Sequence, residues 1–147
     1  MASQSVRTTM TADPRAVEPG LPVTEAARVM REEDVGSLPV VENERLVGVI
    51  TDRDIVMRLV AEGRDAGNTS VGEILSTEVV TVSPEQPLDE ALALMARHQV
   101  RRLPVVEDEG RLVGVITQAD VARDARGEET GGLVEEISRP DEPDMPA

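Results

Sequence analysis

Val35-Gly36-Ser37-Leu38-Pro39-Val40-Val41-Glu42 runs through Asn43 and Glu44 into Arg45-Leu46-Val47-Gly48-Val49-Ile50-Thr51, and both stretches return later in the chain. The first reappears 65 residues on as Val100-Arg101-Arg102-Leu103-Pro104-Val105-Val106-Glu107. The second returns unchanged 66 residues on, as Arg111-Leu112-Val113-Gly114-Val115-Ile116-Thr117. The extra residue is Gly110, which lengthens the turn between them. Upstream, Val17, Pro19, Pro22, Glu25, Ala26 and Met30 match Val82, Pro84, Pro87, Glu90, Ala91 and Met95. A repeat sets the architecture and is read before any single element. The copies occupy residues 6–66 and 70–126, and units this small make poor independent cores, so the repeat predicts a pseudo-twofold pair sharing one core.

Each copy carries the same pattern. Thr24 to Asp34 places Ala26, Val29 and Met30 at helical spacing, and Asp89 to Gln99 does so with Ala91, Leu94 and Met95. Leu38–Val41 and Leu46–Ile50 are β-branched runs joined by a polar segment, which predicts a hairpin. Their near-continuous Val, Ile and Leu content predicts strands covered on both faces or central in the sheet. A second helix is predicted from Asp52 to about Glu62, burying Ile55, Val56, Leu59 and Val60, with a counterpart from Gln118 that buries Val121 and Ala122. Short extended pieces at Val17 and Val79–Val82 complete a β-α-β-β-α unit, so the fold class is α+β. Residues 127–147 hold seven acids, one arginine, three prolines and three glycines and read as a mostly disordered acidic tail, with Leu133, Val134 and Ile137 able to form one amphipathic turn.

Composition narrows the chemistry. Among 147 residues, 15 basic against 29 acidic side chains give a net charge of −14, which argues against nucleic acid as a partner. Every basic residue is arginine, so lysine nucleophiles and Schiff bases are excluded. With no cysteine there is no disulfide, thiolate catalysis or thiolate zinc site, and one histidine excludes a multi-histidine metal site in one chain. No Phe, Tyr or Trp is present to stack on a ligand ring. No run approaches the roughly 18 apolar residues that span a bilayer, and the first residues lack the apolar core of a signal peptide. The expected location is the cytoplasm.

A duplicated Val-Xaa-Xaa-Leu-Pro-Val-Val, a hairpin, then Gly-Val-Ile-Thr-Xaa-Xaa-Asp closely resembles the CBS motif pair, or Bateman module, over residues 6–126. Thr51-Asp52-Arg53-Asp54-Ile55-Val56 and His98-Gln99-Val100-Arg101-Arg102 resemble stand-alone bacterial two-CBS proteins of the hypoxic response protein 1 type. The resemblance implies clefts between the motifs that bind adenosine ligands such as AMP, ADP, ATP or S-adenosylmethionine. It also implies a regulatory rather than catalytic role, and homodimers of pairs.

Thr51-Asp52-Arg53-Asp54 and Thr117-Gln118-Ala119-Asp120 stand at strand-to-helix junctions, where two readings apply. One is a capping box, in which Thr accepts from the third helical amide and Asp reaches back to the N-cap amide. The other is a ligand contact: helix amides and the threonine hydroxyl face a phosphate or ribose, and the aspartate accepts from a ribose cis-diol. The resemblance places Thr51, Asp54, Thr117 and Asp120 in these roles. Adenine would lie between aliphatic walls offered by Val17, Val35 and Val40 with Ile50, or by their repeats Val82, Val100, Val105 and Ile116, with backbone near Ala16 and Leu38 reading its edge; the alternative is that most of these are simply core residues. The copies differ most before Leu-Pro, with Gly36-Ser37 in one and Arg101-Arg102 in the other. Basic residues there often reach across to the other motif's ligand in the family. That assigns Arg101 and Arg102, with Arg53 nearby, to the cleft of Thr51 and Asp54, and leaves Gly36 and Ser37 facing Thr117 and Asp120. The alternative is solvated or surface-paired arginines. Asp52 and Asp54 are candidates for Mg²⁺ beside a nucleotide or for plain solvation, and His98 reads as a helix C-terminal residue favourable to the dipole.

The leading expectation is a regulatory module that senses an adenosine compound and signals through another protein. The alternative is a ligand-free homodimeric interaction protein with filled clefts. An enzyme is disfavoured for want of a nucleophile–base pair.

Overall fold

Proline decides where the long helices begin. Pro22 and Pro87 are the N-caps of helices over Val23–Glu33 and Leu88–His98, and neither has a side chain able to cap. Backbone carbonyls from elsewhere in the chain do the capping: Val23 N–H donates to Thr69 O at 2.9 Å, Thr24 N–H to Ala66 O at 3.2 Å, and Leu88 N–H to Gln4 O at 3.0 Å. Both helices end in a left-handed residue, Asp34 (φ 58°) and Gln99 (φ 57°), whose amides fold back on the last turn.

The computed structural model describes residues 4–128. In chain order they form α1 (Val6–Thr9), β1 (Thr11–Ala12), α2 (Val23–Glu33), β2 (Ser37–Glu42), β3 (Arg45–Thr51) and α3 (Asp52–Asp54), which continues as a π-helical segment over Ile55–Val60. Then come α4 (Val71–Ile74), α5 (Leu88–His98), β4 (Arg102–Glu107), β5 (Arg111–Thr117) and α6 (Gln118–Glu128). The tail from residue 129 on, with Leu133, Val134 and Ile137, lies outside the described residues.

The hairpins form as the β-branched runs require. β2 pairs antiparallel with β3, Leu38 opposite Ile50, and β4 with β5, Leu103 opposite Ile116. The first turn is closed by Asn43 and Glu44, both at positive φ, the geometry that follows strand twist. The second needs Asp108–Gly110, so Gly110 (φ 81°) does lengthen it. Both ladders carry a bulge, between Val40 and Val41 and between Val105 and Val106. Beside each bulge lies a glycine at a close backbone approach. A Cβ on Gly48 would lie 2.5 Å from Ser76 O, and one on Gly114 would lie 2.9 Å from Thr11 O.

Two units result. Arg15–Val79 packs as one, while, among the described residues, 4–14 join 80–128 in the other. In the first, β2–β3 is extended by single bridges from Val17 to Val40 and from Ser76 to Val49. In the second, β1 pairs with β5 and Val82 bridges to Val105. The fold is α+β with antiparallel pairing, and three details correct the sequence reading. The described residues have two hydrophobic clusters rather than one shared core, and each takes its leading helix from the other copy. Val71 and Ile74 of α4 join Val23, Val40 and Ile50, while Val6 of α1 joins Met95, Val105 and Ile116. The docking is equivalent: Val71 N–H donates to Leu21 O and Val6 N–H to Gln86 O, at 2.8 and 2.9 Å. A repeat too small to close over its own sheet is completed by the short helix that begins the other.

Second, of the two placements expected for β3 the central one holds, between β2 and the Ser76 bridge, and the double covering does not: Gly48 and Ile50 are buried while Val47 is 36% exposed. Third, Val56 and Val60 are 54% and 63% exposed, with Met57 at 49%, and only Leu59 of that segment is buried. The segment winds as a π-helix, with Ala61 N–H bonding Val56 O five residues back, and it turns Ile55 and Leu59 inward while Val56 and Val60 lie on its outer side. The extended piece expected over Val79–Val82 shrinks to the single bridge at Val82. No described helix is long and apolar enough to cross a membrane.

Candidate functional site

Each second hairpin strand runs straight into a helix, and the turn is held by the threonine–aspartate pair. Asp54 N–H donates to Thr51 Oγ1 at 2.9 Å and Thr51 N–H donates to Asp54 Oδ2 at 3.0 Å. The second copy repeats this, Asp120 N–H to Thr117 Oγ1 at 3.0 Å and Thr117 N–H to Asp120 Oδ2 at 3.1 Å. The capping box is therefore present at both junctions. It leaves the threonine O–H as a donor and one carboxylate oxygen, Oδ1, for other partners. Both aspartates are 6% exposed.

The surroundings of Oδ1 differ. Asp54 Oδ1 accepts from Ser76 Oγ at 2.9 Å, with Arg58 Nε 3.9 Å away. Arg58 is itself tied to the end of α4, donating through Nη1 to Leu75 O at 2.9 Å and Ile74 O at 3.2 Å, where the helix carbonyls favour a cation. Asp120 Oδ1 instead accepts from Arg123 Nη2 at 2.6 Å. Asp124, at the position that Arg58 holds in the first copy, accepts from Thr9 Oγ1 of α1 at 2.6 Å.

The pair before Leu-Pro lies beside its own copy's helix start. Ser37 is opposite Thr51, and Asp52 N–H donates to Gly36 O at 2.9 Å. Arg102 is opposite Thr117, and Gln118 N–H donates to Arg101 O at 2.9 Å. Sequence reasoning assigned Arg101 and Arg102 to Thr51 and Asp54; their immediate neighbours in the folded chain are Thr117, Gln118 and Asp120. The Arg102 guanidinium is held below its ordinary pKa, chiefly by burial, then by repulsion from Arg101, with Asp120 pulling the other way. Among the described residues neither Arg101 nor Arg102 has a hydrogen-bonded or ion-paired side-chain partner.

The remaining nominated residues divide clearly. Val17, Leu38 and Val82 are 6%, 2% and 2% exposed and put their side chains into the clusters. Arg53, Asp52 and His98 are exposed. Ala16 and Val17 line a surface groove of about 610 Å³ with Arg15, Glu18, Leu21 and Glu25. Its one cation, Arg15, is engaged by Glu33 at 3.1 Å. Ser76, Arg58 and Arg123 were missed. The two arginines lie four and three residues past an aspartate on one helix, a spacing that brings side chains together; Ser76 gave no local signal, being 22 residues from Asp54. Among the described residues no group of three or more His, Asp or Glu side chains is placed to hold a metal ion.

The CBS domain family pattern matches the chain twice, over residues 5–61 and 71–127. The chain is 45% identical over 128 residues to the CBS domain-containing protein YhcV of Bacillus subtilis, covering 87% of this chain and 90% of that one. To Hypoxic response protein 1 of Mycobacterium tuberculosis it is 44% identical over 102 residues, 69% of this chain and 71% of that one. A crystal structure of Hypoxic Response Protein I with two coordinated zinc ions matches with a TM-score of 0.74 at 40% identity, covering 82% of this chain and 98% of the other. The present chain offers one histidine and no cysteine from the nitrogen and sulfur donors that zinc favours. CBSX2 of Arabidopsis thaliana, solved in complex with AMP, matches with a TM-score of 0.74 at 28% identity, covering 86% of this chain and 98% of that one.

Proposed function

The chain belongs to the CBS domain family, and on that premise we propose that it is a non-catalytic regulatory module that binds an adenosine-containing ligand and passes its occupancy to another protein. The ligand class is AMP, ADP, ATP or S-adenosylmethionine, with Mg²⁺ accompanying a polyphosphate. The observation that carries this reading is the Arg101–Arg102 pair. Two adjacent guanidiniums, one of them partly buried, repel each other without a paired acid among the described residues, in a chain of net charge −14. Such an arrangement favours a nearby anion, and a phosphate is the group that guanidiniums bind well. Thr51 with Asp54, and Thr117 with Asp120, are assigned to ribose hydroxyls. Val17 and Leu38 are assigned to the aliphatic wall of the first copy's purine position and Val82 to that of the second, while Arg53, Gly36 and Ser37 border the first position. The protein acts in the cytoplasm.

The test is simple because the chain has no Trp or Tyr and absorbs almost nothing near 280 nm. Heat extraction of the purified protein should release a purine absorbing near 260 nm, or millimolar AMP, ATP or S-adenosylmethionine should raise the melting temperature. Ligand at about 100 times its Kd adds about 2.7 kcal/mol. No purine and no shift with any of the three would end this reading.

One observation favours a second reading, a homodimeric interaction protein. Val56, Met57 and Val60 lie exposed together on the π-helical segment, the kind of apolar patch that marks an interface. Sedimentation would then show a dimer whose stability is indifferent to adenosine ligands.

A further inference from the structure

Resting on the reading of Asp54 and Asp120 as ribose acceptors, we propose that Arg123 is the specificity-determining residue that makes the two positions unequal, by holding the Asp120 carboxylate against an incoming hydroxyl. The two carboxylates share one frame. Each has Oδ2 committed to the threonine N–H of its capping box, and each is 6% exposed. A ligand hydroxyl must therefore share Oδ1 with whatever already holds it, or replace that partner.

At Asp54 the holder is Ser76 Oγ at 2.9 Å, a neutral hydroxyl. Its replacement by a ribose hydroxyl exchanges like for like. Arg58 stays 3.9 Å from Oδ1, fastened by its own donors to Ile74 O and Leu75 O, so it adds positive field without filling the oxygen. At Asp120 the holder is a guanidinium at 2.6 Å, a charge-assisted bond to a carboxylate whose side chain is 8% exposed. A ribose hydroxyl that replaces it gives back less than it removes. Arg123 is itself 69% exposed, so it can swing away, and the position is weakened rather than blocked. The copies supply their own control: the residue at the equivalent place in the first copy is Met57, 49% exposed and unable to hold a carboxylate.

The experiment exchanges these two residues in the full chain and titrates AMP by calorimetry, with melting temperature reporting that each variant folds. In an Asp54→Asn background, which leaves the Asp120 position, Arg123→Met should tighten AMP about fivefold, the size of a partly exposed ion pair. In an Asp120→Asn background, Met57→Arg should weaken AMP by a similar factor. If AMP binds but Arg123→Met leaves its affinity unchanged or lowers it, the proposal is overturned while the nucleotide reading survives. Binding that appears only once Arg123 is replaced upholds the proposal. Silence from every variant and the parent overturns both.

Discussion

The ends of β3 and β5 carry the same capping box around equally buried aspartates, yet one carboxylate faces a serine hydroxyl and the other an arginine. One helix step on, the copies use opposite charges to the same end. Arg58 ties α4 down through two carbonyls, and Asp124 ties α1 down through a threonine hydroxyl. The duplication has preserved what the backbone requires and let go of what it does not. Functional asymmetry is therefore written in side chains that the fold could exchange freely, which is why it must be sought outside the matching residues.

The glycines beside the bulges give the largest test of how far the equivalence extends. Gly48→Ala would set a methyl 2.5 Å from Ser76 O as well as against Leu75, whereas Gly114→Ala meets Met10 Sδ at 2.6 Å and the Thr11 carbonyl only at 2.9 Å. A flexible thioether yields where a backbone carbonyl does not. Urea unfolding should show a loss of about 3 kcal/mol at Gly48 and about 1 kcal/mol at Gly114. Equal losses would mean that the two approaches are mechanically the same.

The carboxylates come next. Asp54→Ala leaves the Thr51 amide and the Ser76 hydroxyl without their acceptor, and should cost about 2 kcal/mol. Asp120→Ala also leaves the Thr117 amide without its acceptor but releases an exposed arginine to water, and should cost about 1 kcal/mol. The first substitution should also weaken AMP binding more than the second. A reversed order, in stability or in calorimetric affinity, would break the comparison.

The smallest effect concerns the leading helices. α4 begins with a capping box in which Glu73 accepts from Ser70 N–H at 3.0 Å, while before α1 the Ser5 side chain makes no cap and the uncharged Thr8 donates through Oγ1 to Ser5 O at 2.9 Å. The Ser70 amide, opposed by some desolvation and helped by the Ser70 hydroxyl and Arg64, holds the Glu73 carboxyl below its ordinary pKa. The folded value lies below the unfolded one, so this stabilisation is complete above the ordinary glutamate range and disappears as pH falls through the folded value. Glu73→Gln should flatten the decline in melting temperature between pH about 6 and about 3, whereas Thr8→Val should leave the shape of that decline unchanged.

Much of the fold was legible because repetition and local chemistry agreed. The hairpins, the Gly110 turn and the two aspartate caps follow from short-range pattern, and each involves residues only a few positions apart. What stayed hidden depends on distance or winding. Val56 and Val60 repeat at the same interval as Ile55 and Leu59, and nothing local announced which pair would face the core or that Ile55–Val60 would wind as a π-helix. The site was half legible for the same reason: the threonines and aspartates stand in a motif, but the partner of Asp54 arrives from α4's end. The assignment of α1 and α4 to opposite units is likewise a tertiary choice, made through contacts with residues distant in the chain.

That choice has a consequence for how the polypeptide comes apart. The covalent midpoint of the duplication is not its mechanical seam: the chain passes from one unit to the other near Pro14 and Val79, not in the stretch between the copies. A protease that nicks the loop around Gly67 would free no half, because the piece beginning at Thr69 still has Val71 and Ile74 seated under the earlier strands. Genetic truncation at the same place gives a different result, stripping one body of its lid and leaving the other copy an orphaned clasp.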